Sequence, residues 1–186
     1  MFKPVIQKTR TLVLMAIVNL LLVFWAFNSK VIDKSPGYNE KIEAANTMNK
    51  GLKILEKYQR EENNIDQPDN AIDPNGTRLI PKEESPIRSA NGKLLDKQAA
   101  LKPNFAGIVV DLLIKAGLTK GDTVAACITG SLPGANLALY SATKAMGLNL
   151  FVITSVAAST WGATDPEFTW LDMEKILKKN KIIDTI

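Results

Sequence analysis

Three patterns of hydrophobic and polar positions succeed one another along this chain. From Thr11 to Phe27 the run TLVLMAIVNLLLVFWAF carries no charge and a single polar interruption at Asn19. Coiled as a helix at 1.5 Å per residue it is about 25 Å long, the short end of a membrane span. Between residues 38 and 62, Ile42, Ala45, Met48, Leu52 and Leu55 recur at three- and four-residue spacing and predict an amphipathic helix. Beyond Pro103 helical and strand patterns alternate. Phe105, Val109, Leu112 and Leu113 mark one face of a helix over Asn104–Ala116, with Gly117 as its stop. The apolar runs Val124–Ile128 and Leu148–Val156 predict strands, separated by a helix over Ala135–Met146 that Gly147 ends. A last helix is expected from Asp165, as N-cap with Pro166 and Glu167 behind it, to about Asn180, and Ile182-Ile183 open a third strand.

The stretches between these patterns are less regular. Residues 63–76 are polar and broken by Pro68, Pro74 and Gly76, as in a linker. Residues 77–102 set Arg78, Lys82, Arg88, Lys93, Lys97 and Lys102 against Glu83, Glu84 and Asp96, with a turn signal at Ser89–Gly92. This is either a solvated loop or a basic arm, in which Arg88, Lys93, Lys97 and Lys102 bind a polyanion. The chain thus divides into a cytoplasmic tip and anchor (1–30), a membrane-proximal helix (31–62), an irregular linker with the arm (63–102) and an α/β domain (103–186).

In that domain each strand leads into a loop of small residues and then a helix. This is the grammar of a Rossmann-like parallel α-β-α-β-α layer, in which sites form at the carboxyl ends of strands. Two parallel strands make a thin sheet with exposed edges, so the layer is expected to be incomplete at the C-terminus.

Charge refines the membrane reading. The net charge is +4, but residues 1–30 hold Lys3, Lys8, Arg10 and Lys30 with no acid, leaving nineteen side chains of each sign in the rest. The basic balance therefore reports topology and not nucleic-acid binding. Cations ahead of the apolar run favour a cytoplasmic N-terminus and an extracytoplasmic main domain, in a single-pass protein of the inner (cytoplasmic) membrane. A cleaved signal peptide competes, but Trp25, Ala26, Phe27 and Asn28 make no small-x-small cleavage site. No cofactor is expected. The single cysteine, Cys127, reads as a buried small hydrophobe within its strand. The chain has no histidine, which removes His-based triads and the usual zinc sites, and no metal site is expected.

The candidate chemistry lies in two loops, Thr129–Asn136 and Ala157–Asp165. In the first, Gly130 and Gly134 allow close backbone approach, and Ser131 and Asn136 stand where a helix N-terminus suits a carboxylate or phosphate. The loop fits a plain β-α turn, an anion site, or a nucleophilic Ser131 with Lys144 folded back as base. It lacks the lysine of a Walker A loop and matches neither GxGxxG nor GxSxG. In the second loop Ser159 and Thr160 supply hydroxyls, Trp161 a wall and Asp165 a helix cap.

The segments Ser85-Pro86, Lys102–Ala106, Gly121–Ala125, Gly130–Asn136 and Ser159–Glu174 resemble the bacterial poly-gamma-glutamate system protein family, the last block being long and specific. Leu132 and Arg88 depart from the family pattern. With the anchor, the resemblance covers nearly the whole chain and implies a sequence continuing past Ile186. It implies membrane machinery that makes or exports poly-gamma-glutamate, with the synthesis or export proteins, and the polymer itself, as partners. Within it three roles are open. One is an accessory protein that binds or guides the polyanion. Another is an enzyme that hydrolyses or transfers gamma-glutamyl amide bonds through Ser131, with Ser159 and Thr160 at an oxyanion site. The third is a structural scaffold.

Overall fold

The structure, a computed structural model, describes residues 8–29, 34–63, 69–81, 83 and 85–184. The chain forms two compact units, Met1–Ser35 and Pro36–Ile186. The first contains α1 (Thr9–Asn28), a helix of mean hydropathy 2.1 with none of its side chains buried. It is long and apolar enough to cross a membrane, a property it shares with signal sequences.

The second unit is mixed α/β. It begins with α2 (Tyr38–Glu61), continues through β1 (Arg88–Ala90), α3 (Leu94–Ala100), α4 (Asn104–Lys115), β2 (Thr123–Thr129), α5 (Pro133–Met146) and β3 (Asn149–Ser155), and ends with β4 (Ala158–Ser159), β5 (Thr164–Asp165), β6 (Phe168–Thr169) and α6 (Trp170–Lys179). The pair β2–β3 is parallel and in register from Thr123 opposite Asn149 to Thr129 opposite Ser155. β1 and β4 form a second, short parallel pair. Among the described residues the expected third strand does not form, and Ile182 and Ile183 are instead buried side chains of the core.

The core lies on one side of β2–β3. Met48, Leu52 and Leu55 of α2 meet Leu137, Ala138 and Ala142 of α5 and Trp170, Met173 and Leu177 of α6. α2 is therefore an internal element of the α/β unit. Its C-terminal turn stacks Tyr58 on Phe168 with ring centroids 5.6 Å apart. The buried stripe differs in detail from the expected one, because Ile42 at the first turn is exposed and Ala44 is buried. On α4, Ala106 and Val110 are buried while Leu112 faces outward.

The segment read as a linker carries structure of its own. Asp73 is fully buried and accepts hydrogen bonds from Thr77 Oγ1 and the Arg78 N–H, which folds residues 73–78 into a turn. The expected start of the last helix is corrected. Asp165 and Pro166 open a tight β5–β6 turn in which Asp165 Oδ1 accepts from the Glu167 N–H at 2.9 Å. An Asp-Pro pair suits the first two positions of a turn as well as it suits a helix N-terminus. The helix cap is Thr169, locked in a capping box with Asp172.

Candidate functional site

The carboxyl ends of three strands open on one cleft of about 460 Å³. Asn91 and Gly92 follow β1, Ser131 follows β2, Ser159 ends β4, and Lys97 enters from α3. The two loops singled out in the sequence do share this edge, but much of their content holds them to each other. The Gly130 N–H donates to Ala157 O at 2.9 Å and the Ala163 N–H to Gly130 O at 2.7 Å. A Cβ on Gly162 would stand 2.6 Å from Gly130 O, so the loops pack too closely for a side chain there.

Several expected ligand contacts thus have structural work instead. Gly130 packs against Ala158, and Gly134 packs against the backbone at the end of α3. Asn136 is buried, and its Nδ2 donates to Thr129 O at 2.7 Å, latching α5 to the strand it follows. Thr160 is buried and donates through both its N–H and its hydroxyl to Ala90 O, extending the β1–β4 pairing. Trp161 sits half-buried against the core at a positive φ of 64°, and Asp165 holds its own turn. Lys144 points away from Ser131, with its Nζ on Lys181 O and Ile182 O.

The basic residues also separate. Arg88, Lys93 and Lys102 are exposed, whereas Lys97 is only 4% exposed and does not belong to a solvated arm. Its Nζ donates to Ser131 O, and to Ser159 Oγ at 2.7 Å. Ser131 completes the link, since its Oγ accepts the Ser159 N–H at 3.1 Å. Burial pushes the Lys97 pKa below the ordinary lysine value, and the charge of neighbouring Asp96 opposes the shift without cancelling it. No carboxylate lies within ion-pair distance of this lysine among the described residues. Ser159, and not Ser131, is thus the serine of the cleft whose hydroxyl meets the desolvated amine.

The sequence offered little sign of this arrangement. Lys97 and Ser159 are 62 residues apart, and they meet only because the short β1 pairs with β4. A second hollow, about 520 Å³, lies at the amino-terminal ends of the long strands, lined in part by Gly37, Glu40, Lys120 and Lys144. It is larger, but Lys144 is already engaged there by Lys181 O and Ile182 O. Among the described residues no group of three His, Cys, Asp or Glu side chains is placed to hold a metal ion. No protein-family model, curated protein or solved structure matches this chain.

Proposed function

We propose that the protein is a single-pass accessory protein of poly-gamma-glutamate synthesis or export, anchored through α1, whose Rossmann-like α/β unit binds or guides the polyanionic polymer outside the cytoplasm. The observation that supports this best is the cleft at the strand ends. It is formed where three β-strands terminate, the usual location of a ligand site in open α/β layers. Exposed Lys93 and buried Lys97 line it, with Asp96 as the opposing acid, and Arg88 stands exposed on the adjoining strand. A chain of carboxylates offers many weak contacts to such a rim, where each exposed pair contributes little alone. Family resemblance and the apolar N-terminal helix support the setting.

Full-length protein in detergent micelles, titrated with poly-gamma-glutamate across a salt series, tests the reading. Binding is expected to weaken several-fold between about 0.05 and 0.5 M salt, as the screening length falls from above 10 Å to a few Å. Lys93→Glu should weaken it further. Binding that ignores salt and survives Lys93→Glu would overturn the polymer-handling role.

A further inference from the structure

We propose that Ser159 and Lys97 form a nucleophile–base pair that cleaves or transfers acyl groups from amides or esters entering the cleft. The proposal does not depend on the polymer reading, since any acyl compound that reaches the cleft has the required carbonyl. Three observations carry it. The Ser159 Oγ and Lys97 Nζ are 2.7 Å apart, inside the range for proton transfer. Lys97 is buried against two uncharged oxygens, with no carboxylate within ion-pair distance among the described residues, and this burial lowers its pKa against the opposing charge of Asp96. And the position facing the pair is glycine: a Cβ on Gly92 would stand 3.0 Å from Ser159 Oγ, 3.1 Å from Lys97 Cε and 2.5 Å from Thr160 O. Any side chain there would press on the hydroxyl and its base.

The chemistry balances without a cofactor. As Ser159 Oγ bonds to the acyl carbon, its proton passes to the neutral Lys97 Nζ. The tetrahedral adduct then expels the amine or alcohol, which takes the proton back from the Lys97 ammonium. Water next attacks the acyl-serine and gives its proton to Lys97. As the C–Oγ bond breaks, Lys97 returns that proton to Ser159, and the carboxylic acid leaves. Where a second amine replaces water, the outcome is transfer. Pairs of serine and lysine perform such steps on unrelated folds. Ser131 is a positioning residue here: its carbonyl orients the amine, and its hydroxyl holds the backbone of Ser159.

The test is acylation of full-length protein in detergent by a small fluorophosphonate and by a nitrophenyl ester, with the modified residue located by mass spectrometry. One adduct is expected, on Ser159, at a rate that rises with pH through an apparent pKa below 10.5. Ser159→Ala should abolish it, Lys97→Met and Lys97→Arg should slow it about a hundredfold or more, and Ser131→Ala should slow it while leaving the pH midpoint near its native value. Absence of an Ser159 adduct between pH 7 and 10 in folded protein would overturn the pair. So would labelling independent of pH in the native protein, a readout that needs no variant to fold. Polymer shortening is a separate arm. Labelled Ser159 with intact polymer leaves the pair standing and makes the substrate another acyl compound. Salt-sensitive polymer binding with unreactive Ser159 overturns the pair and leaves polymer handling in place.

Discussion

The two faces of the β2–β3 pair are built from the same seven-residue strands and meet opposite environments. Val124, Ala126, Ile128 and Val152 turn toward the helices and the core. Ala125, Cys127, Phe151 and Ile153, the alternate positions, turn outward, with Phe151 57% and Ile153 73% exposed. Parallel strands ordinarily read as continuous apolar runs because helices cover both of their faces. This pair has the apolar composition of a doubly covered sheet and the helices of a singly covered one. The difference teaches that strand composition records the environment a sheet is suited to, while burial records the one present in these 186 residues. It also corrects the expectation for Cys127, whose thiol is exposed, not buried.

The sharpest way to break the comparison is a pair of identical substitutions. Ile128 and Ile153 sit on paired strands, the first 8% exposed and the second on the bare face. Ile128→Ala should lower stability by about 2–4 kcal/mol through lost transfer energy and a residual cavity. Ile153→Ala should stay within about 0.5 kcal/mol. Urea denaturation of both variants decides the matter: equal losses would mean that the outer face is covered in solution.

On the covered side the polar contacts are concentrated at Glu174. Its Oε1 accepts from Tyr140 OH at 2.9 Å, Thr154 Oγ1 at 3.0 Å and Trp170 Nε1 at 2.9 Å, tying α5, β3 and α6 together. Burial, with the Glu174 charge beside it, raises the Tyr140 pKa well above the ordinary tyrosine value. Glu174→Ala strands three donors and should cost about 2 kcal/mol, read as a lower urea midpoint. Thr169→Ala, which removes the α6 cap, should cost about 1 kcal/mol.

A smaller effect comes from Asp111, which joins α2 to α4 through Lys41 at 2.8 Å and also meets Lys115 at 2.6 Å. Hydrogen bonds from Lys115 and Lys41 lower its pKa from 3.8 to about 2. A depressed carboxylate contributes stability above its unfolded pKa and loses it as pH falls through the folded one. Native protein and Asp111→Asn should therefore differ in stability above about pH 4 and converge as pH approaches 2. A constant gap across that window would show that the pair is too exposed to matter.

How much of this was legible follows from how many periods an element offers. α2, α4, α5, β2 and β3 repeat their patterns against a core and were readable to within two residues at most ends. β1 has three residues and α3 seven, too few for a period, and their segment looked like a charged loop. The same shortness hid the cleft. Lys97 reads as a surface charge until β1–β4 pairing carries it inside, and Ser159 differs from Ser131 only in which hydroxyl meets the amine. Asp165 misled because the same dipeptide serves turns and helix starts.

The smallest effect on stability is also the cleanest reading of the bare face. Cys127 lies opposite Ile153 in the parallel register and is the one cysteine in the sequence, so a thiol reagent reports that face alone. If the outer face meets water, native protein should react completely with a maleimide, at a rate near that of the same protein in about 6 M urea, because no local opening has to precede attack. A cover that lies over the strands would instead make native labelling slow and dependent on unfolding. The substitution Ile153→Lys sharpens the same point. On a solvated face it should leave the urea midpoint within about 0.5 kcal/mol of native and Cys127 equally reactive. On a face packed against an apolar cover, an unpaired lysine would cost several times as much, and the thiol would become accessible as the cover detached.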